Sequence, residues 1–281
     1  MSPSAPAPTE DGEHGAASDG AIVAHVVAAI RAAAVRTEPF THAYVENVFP
    51  DAFYAALAAV FPEPGGAASE ALARVADRRH QRDAYSDRRL TVDAAALPEE
   101  QRATLPAPVR QVVRVMTDPR LVQFQVGHFS RILGPIMRAF LDRAKIDPAV
   151  ARFDVERSCE LIYDATGFEL KPHTDGNRKL VTSLVYVPGP GAPESLGTHL
   201  YTPRPGMVLS KDAARGGLFL DWADAVDCGH VPYRANCMLI FPRTATSLHG
   251  VPPVEGAHPR RLIQSSILHG GFVRFAAEGG E

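Results

Sequence analysis

The rear half of this 281-residue chain is a succession of short β-type runs parted by Gly- and Pro-rich turns. Ser158 to Tyr163, Phe168 to Pro172, Leu180 to Val187, Thr198 to Thr202, Leu218 to Trp222, Cys237 to Phe241 and Leu262 to Leu268 all have this character. Many short strands at such spacing predict a sandwich or barrel rather than an alternating helix–strand fold. The front half reads differently. Ala21 to Ala34 is predicted as a helix ended by Thr37-Glu38-Pro39, because the residue before a proline avoids helical geometry. Phe40 to Val45 alternates like a strand, and Ala52 to Val60 is predicted as a second helix that starts at Pro50 or Asp51. Residues 67–107 are polar and unassigned; Pro108 to Thr117 and Pro119 to Ala144 are read as helices, the latter interrupted near Gly134-Pro135. Nothing in this front half reads as chemistry. The expected organisation is a disordered tail over 1–20, a helical N-terminal layer over 21–150 and a β core over 151–273, the last two in one α+β domain.

Composition narrows the function classes. Hydrophobic residues make up 46% and charged residues 22%, which suits a soluble globular protein. The formal net charge of -3 supplies no basic field for nucleic acid. Cys159, Cys228 and Cys237 are odd in number and show no paired spacing, which fits a reducing compartment. The start of the chain lacks the basic and apolar regions of a secretory signal, and no apolar run is long enough for a bilayer, so a cytoplasmic protein without a membrane partner is expected.

One triplet carries chemistry. In Lys171-Pro172-His173-Thr174-Asp175, the His and Asp share a face if the segment is extended, since strand side chains alternate. H-x-D alone is weak, because a turn at Asp175-Gly176-Asn177 explains it equally well. Ser247-Leu248-His249-Gly250-Val251 adds a second imidazole after the apolar run Met238-Leu239-Ile240-Phe241, and Arg260-Arg261 follows at the head of another strand. Two histidines and one carboxylate leave coordination positions open and suit non-haem Fe(II). An arginine supplies a fork-shaped cation for an acidic co-substrate.

With these residues in view, the chain resembles the Fe(II)- and 2-oxoglutarate-dependent dioxygenases, and within them the prolyl-hydroxylase-like branch. The resemblance spans roughly residues 153–271. Tyr163 and Gly167 stand before His173; Thr182-Ser183-Leu184-Val185-Tyr186 follows Asp175; Gly197-Thr198-His199-Leu200 matches a Gly-led strand. Phe241 precedes His249-Gly250-Val251-Pro252-Pro253, and Arg260-Arg261-Leu262-Ile263 closes the set. The front segment from Pro39-Phe40-Thr41-His42 to Phe49-Pro50 also resembles the branch's first strand and helix.

The resemblance implies a double-stranded β-helix (jelly-roll) core with flanking N-terminal helices. It implies Fe(II) on His173, Asp175 and His249, with 2-oxoglutarate as co-substrate and O2 as oxidant. Arg260 is expected to hold the far carboxylate of 2-oxoglutarate, with Arg261 as the alternative because a one-residue slip exchanges them. Tyr186 and Tyr163 are expected to donate phenolic hydrogen bonds to it, and Thr182 to line the pocket. Ordinary strand packing is the competing reading of both tyrosines. With Asp175 present, the resemblance implies hydroxylation or another oxidation rather than halogenation. The expected substrate is a small molecule, an amino acid or a peptide. The alternatives are a non-catalytic jelly-roll binding protein, a cupin-like metal enzyme that does not use 2-oxoglutarate, and a zinc hydrolase, the last without an H-E-x-x-H helix or an obvious base. His199 is expected at the surface, and the long stretch from Tyr201 to Arg234 as a loop beside the site.

Overall fold

The computed structural model describes residues 17–61, 88–149, 151–207, 210–211 and 217–274. Most of the expected 1–20 tail therefore lies outside the described residues, and so does much of 67–107. In chain order the elements are α1 (Asp19–Ala32), β1 (Val35–Arg36), β2 (His42–Val45), α2 (Asp51–Ala59), β3 (Arg89–Asp93), α3 (Glu99–Ala103), α4 (Ala107–Met116), α5 (Pro119–His128) and α6 (Ser130–Ala144). Then come β4 (Ala151–Asp164), β5 (Leu170–His173), β6 (Lys179–Tyr186), β7 (His199–Pro203), β8 (Ser210–Lys211), β9 (Leu218–Phe219), β10 (Ala225–His230), β11 (Met238–Pro242), β12 (His249–Val251) and β13 (Arg260–Arg274).

The strands form two antiparallel sheets. The larger has the order β1-β2-β11-β6-β13-β4-β3 and the smaller β10-β7-β12-β5-β9-β8. From β4 to β7 the chain changes sheet at every step, and it does so again from β10 to β13. The eight strands β4, β5, β6, β7, β10, β11, β12 and β13 thus make a jelly roll, as four antiparallel strands facing four.

Alternation on the larger sheet creates two cores. Cys159, Leu161, Val181, Val185, Ile240, Ile263 and Ile267 face the helices, where they pack with Ile22, Val26, Ile30, Leu57, Val112 and Leu121. Ile162, Leu184, Tyr186, Leu239, Phe241 and Leu262 face the smaller sheet and pack with Phe168, Leu200 and Val251. Period-2 alternation therefore decides which side chains can reach a site between the sheets.

The structure departs from the sequence expectations in five places. First, α1 begins inside the expected tail, because the Ser18 hydroxyl caps it by accepting from the Ala21 N–H. Second, the break in the 119–144 helical stretch falls at Phe129, not near Gly134-Pro135; Pro135 sits within α6, where it removes one backbone donor while the helix continues. Third, Leu218 to Trp222 is strand only over Leu218–Phe219, and Trp222 opens a short 3-10 turn. Fourth, the expected loop of 201–234 contains β8, β9 and β10. Finally, the front half is more than a helical layer, since β1, β2 and β3 extend the larger sheet at both edges.

Candidate metal centre

His173 ends β5, and His249 begins β12 directly opposite it. Their rings lie 4.4 Å apart between centroids. Asp175 follows two residues after His173 and is buried with both imidazoles. Each of the three offers one ligand atom, and these atoms all lie within 4.8 Å of one another.

Tautomer and orientation are set locally. His173 Nδ1 lies 2.9 Å from the carbonyl of Lys171, and His249 Nδ1 lies 3.0 Å from that of Ser247. A neutral imidazole that donates Nδ1–H presents a bare Nε2 as ligand. Burial, and then the neighbouring His249, lowers the His173 pKa to about 3, and burial lowers that of His249. Both rings are therefore neutral near pH 7. For Asp175, burial opposes ionisation, but the Lys179 ammonium and the two imidazoles outweigh it and hold the carboxyl below the usual carboxylate range. The Lys179 ammonium donates to Oδ1 at 2.8 Å, and the Thr182 hydroxyl to Oδ2 at 2.6 Å.

Aromatic rings close the centre. Phe219 stacks on His173 at 5.2 Å, and Phe241 lies 4.8 Å from His249. The glycine after His249 has a steric reason. A Cβ at Gly250 would fall 2.7 Å from the Leu170 carbonyl oxygen, so β12 can approach β5 this closely only without one.

Arg260 is almost fully buried between the sheets. Its Nε donates to the Leu196 carbonyl at 2.9 Å, its Nη1 to Asp164 at 3.0 Å and its Nη2 to the Thr198 hydroxyl at 2.9 Å. The Tyr186 hydroxyl donates to the same Thr198 oxygen at 2.9 Å, and the Tyr186 ring lies 5.8 Å from the guanidinium carbon. Asp164 also accepts from Arg89 at 2.6 Å. Arg89 and Arg260 thus share the Asp164 carboxylate. Thr198 is two residues from Leu200, which pairs with His249. The arginine head therefore lies about 7 Å along the strand from the His249 row, at ~3.4 Å per residue.

The expected co-substrate residues are not all brought together. Thr182, Tyr186 and Arg260 face the space between the sheets. Tyr163 pairs with Arg261 and shares its face, pointing toward the helical layer. Arg261 donates from Nε to the Val187 carbonyl at 2.9 Å, with its guanidinium carbon 5.7 Å from the Phe61 ring centroid. His199 lies on the outer face of the smaller sheet, 2.8 Å from Asp227 and stacked on His230. Cys159 and Cys237 are buried, and Cys228 is exposed.

Sequence reasoning missed Lys179, Asp164, Thr198 and Arg89. The first three lie within or next to motifs that were read, and Asp164 directly follows Tyr163. Arg89 comes from the stretch left unassigned, where only the β-type run Arg89-Leu90-Thr91-Val92 offered a signal.

No family model matches the chain, and no curated protein matches it. Solved structures similar to it include a prolyl-4-hydroxylase of Pseudomonas putida, 16% identical over 88% of this chain and 98% of that one, with a TM-score of 0.42. Another is the epimerase SnoN in complex with Fe3+, alpha ketoglutarate and nogalamycin RO, 14% identical over 92% of each chain, with a TM-score of 0.43. A third is a prolyl hydroxylase from Trichoplax adhaerens bound to a hypoxia inducible factor peptide, 12% identical over 88% of each chain, with a TM-score of 0.42. These likenesses are distant, and the jelly roll is defined by the strand order itself. Among the described residues, no helix is long and apolar enough to cross a membrane.

Proposed function

We propose that the chain is an Fe(II)- and 2-oxoglutarate-dependent dioxygenase that hydroxylates a C–H bond of a small molecule, amino acid or peptide. One O2 and one 2-oxoglutarate are consumed, and succinate and CO2 are released. The observation that carries this reading is the pairing of an open His173-Asp175-His249 face with a buried cationic group one strand away. The donor set fits Fe(II): two neutral Nε2 atoms and one ionised carboxylate, all converging. Bound iron supplies activation of dioxygen for coupled oxidation of the co-substrate and the substrate.

The protein's own residues do the rest. Lys171 and Ser247 hold the imidazole tautomers through their carbonyls, while Lys179 and Thr182 fix the Asp175 carboxylate. Arg260 and Tyr186 stand where the far carboxylate of 2-oxoglutarate is to be oriented. The Arg260 guanidinium offers fork-shaped donors suited to a carboxylate there. Phe219 and Phe241 exclude water from the ligand rings.

One observation favours a second reading. Asp164 already serves Arg260, so the arginine has a structural role even in a metal enzyme that does not use 2-oxoglutarate. The test is conversion of 2-oxoglutarate to succinate by Fe(II)-loaded protein, followed by NMR. Wild type is expected to turn over and His249→Ala to be inactive. Equal succinate formation by both sinks the dioxygenase reading, and no turnover by wild type despite tight iron binding supports the second.

A further inference from the structure

Asp175 lies outside the strands. β5 ends at His173 and β6 begins at Lys179, so a short link, 174–178, carries the carboxylate. The head of this link is tied to β9. The Thr174 N–H donates to the Leu218 carbonyl at 2.8 Å, and the Thr174 hydroxyl accepts from the Leu218 N–H at 3.1 Å. Beyond Thr174 the link has open space on both faces. In front is the mouth of the metal centre, a cavity of about 210 Å³ bordered by Asp175, Gly176 and Arg178. Behind, toward α6, is a second cavity of about 40 Å³, bordered by Asn177, Arg243 and His269 with Met137 and Phe140. Close packing fixes a segment only where it is enclosed. Here hydrogen bonds have to set where the link stands.

Arg243 supplies them from behind. It directly follows β11, and its backbone N–H donates to the Leu180 carbonyl at 2.9 Å, which seats it beside the start of β6. The half-buried guanidinium reaches the link at two points. Nη2 donates to the Asn177 side-chain oxygen at 2.7 Å, and Nε to the Asp175 main-chain carbonyl at 3.3 Å. The second contact is long, so the first carries more of the hold. Among the described residues no other group bonds to the Asp175 carbonyl, and no carboxylate forms an ion pair with Arg243. Burial works against the Arg243 charge, and the nearby Asp175 charge favours it. His269 completes the grip: its backbone N–H donates to the Arg178 carbonyl at 2.9 Å, and its Nε2 lies 3.2 Å from the Asn177 carbonyl.

We propose that Arg243 is a positioning residue for the metal centre. Lys179 and Thr182 hold the Asp175 carboxylate, and Arg243 holds the main chain that carries it. The ligand then neither swings into the mouth nor sinks into the cavity behind. The rigid fork of an arginine spans two acceptors; the point charge of a lysine does not. This rests on the metal-centre reading and acts through Asp175 alone.

The experiment is calorimetric titration of Mn(II) into the full chain, with the EPR spectrum of bound Mn(II) and the Tm recorded for each variant. Arg243→Met keeps an unbranched side chain and removes the donors. It is expected to bind Mn(II) about tenfold more weakly and to alter the EPR spectrum, as removing a group that orients a ligand does. In succinate formation at saturating Fe(II), kcat should fall while the KM for 2-oxoglutarate stays at the wild-type value. Arg243→Lys should not restore the affinity, whereas guanidinium added to Arg243→Met below denaturing concentration should restore part of it. Asn177→Ala, at an exposed position, removes the shorter bond alone and should weaken Mn(II) about threefold. Wild-type affinity and EPR spectrum in Arg243→Met overturn the inference, as they do in Asn177→Ala should the arginine variant not fold. Full recovery by Arg243→Lys also overturns it, since charge alone would then suffice. Mn(II) binding no tighter to wild type than to His249→Ala would instead strike the metal-centre reading itself.

Discussion

Thr182 and Asp175 are bonded side chain to side chain at 2.6 Å, the shortest polar contact around the candidate ligands. The bond joins the one threonine of β6 to the carboxylate that precedes the strand. Lys179 takes the other oxygen, so the carboxylate is held from both sides by protein donors. A ligand pre-set in this way loses little freedom on binding an ion.

Thr182→Val keeps the shape and removes the donor. We expect Mn(II) affinity to fall about 10–100-fold, the usual cost of deleting a partner of a ligating side chain. Thr182→Ser should restore most of it. Calorimetry on both variants checks this, and unchanged affinity in the valine form would remove Thr182 from the centre.

Arg260→Ala and Arg261→Ala should fail in different ways. The first is expected to raise the KM for 2-oxoglutarate about 100-fold, corresponding to ~3 kcal/mol for a charged hydrogen-bonding partner. Asp164 stays paired to Arg89, which lets the fold survive. The second leaves KM alone and costs about 1–3 kcal/mol of stability, because the Val187 carbonyl loses its donor. The reverse assignment of the two phenotypes would contradict the strand phase.

Gly250→Ala tests the closeness of the two ligand strands. The added methyl meets the Leu170 carbonyl at 2.7 Å, a backbone atom that moves only if β5 and β12 separate. We expect loss of metal affinity together with a lower Tm. An alanine variant with wild-type iron binding and Tm would mean that the strands yield freely.

Metal-free protein should lose stability in acid below about pH 6.5. Both ligand histidines have lowered pKa values in the folded chain, that of His173 to about 3. The unfolded chain binds protons below ~6.5 that the folded site refuses. The stabilisation is thus complete above that pH and is lost below it, for His173 at about 1.4 kcal/mol per unit down to about pH 3. Melting curves with EDTA from pH 7 to 4 should fall less steeply for His173→Gln than for wild type. Parallel curves would count against buried neutral imidazoles.

The jelly-roll strands and the candidate ligand triplet were legible because their signals are local. The continuous β-type run Leu180–Tyr186 and the H-x-D spacing survive in one dimension. The face of Tyr163 was not legible, since it depends on the register of β4 against β13, which a neighbouring strand sets. Asp164, one residue on, meets Arg260 instead. Arg89 was hidden for a different reason: its strand is a short edge held to one neighbour, and little in its own residues distinguishes it from a polar loop.

Each ligand imidazole is steered by a carbonyl only two residues back on its own chain segment, at Lys171 and at Ser247. Aim is therefore decided within each strand, and only separation is decided between them. An ion gripping both rings would act as a rivet through the β5–β12 seam. Stripping it out should loosen that seam first, so amide exchange at Gly250 and Val251 ought to quicken under chelation long before the helical layer responds.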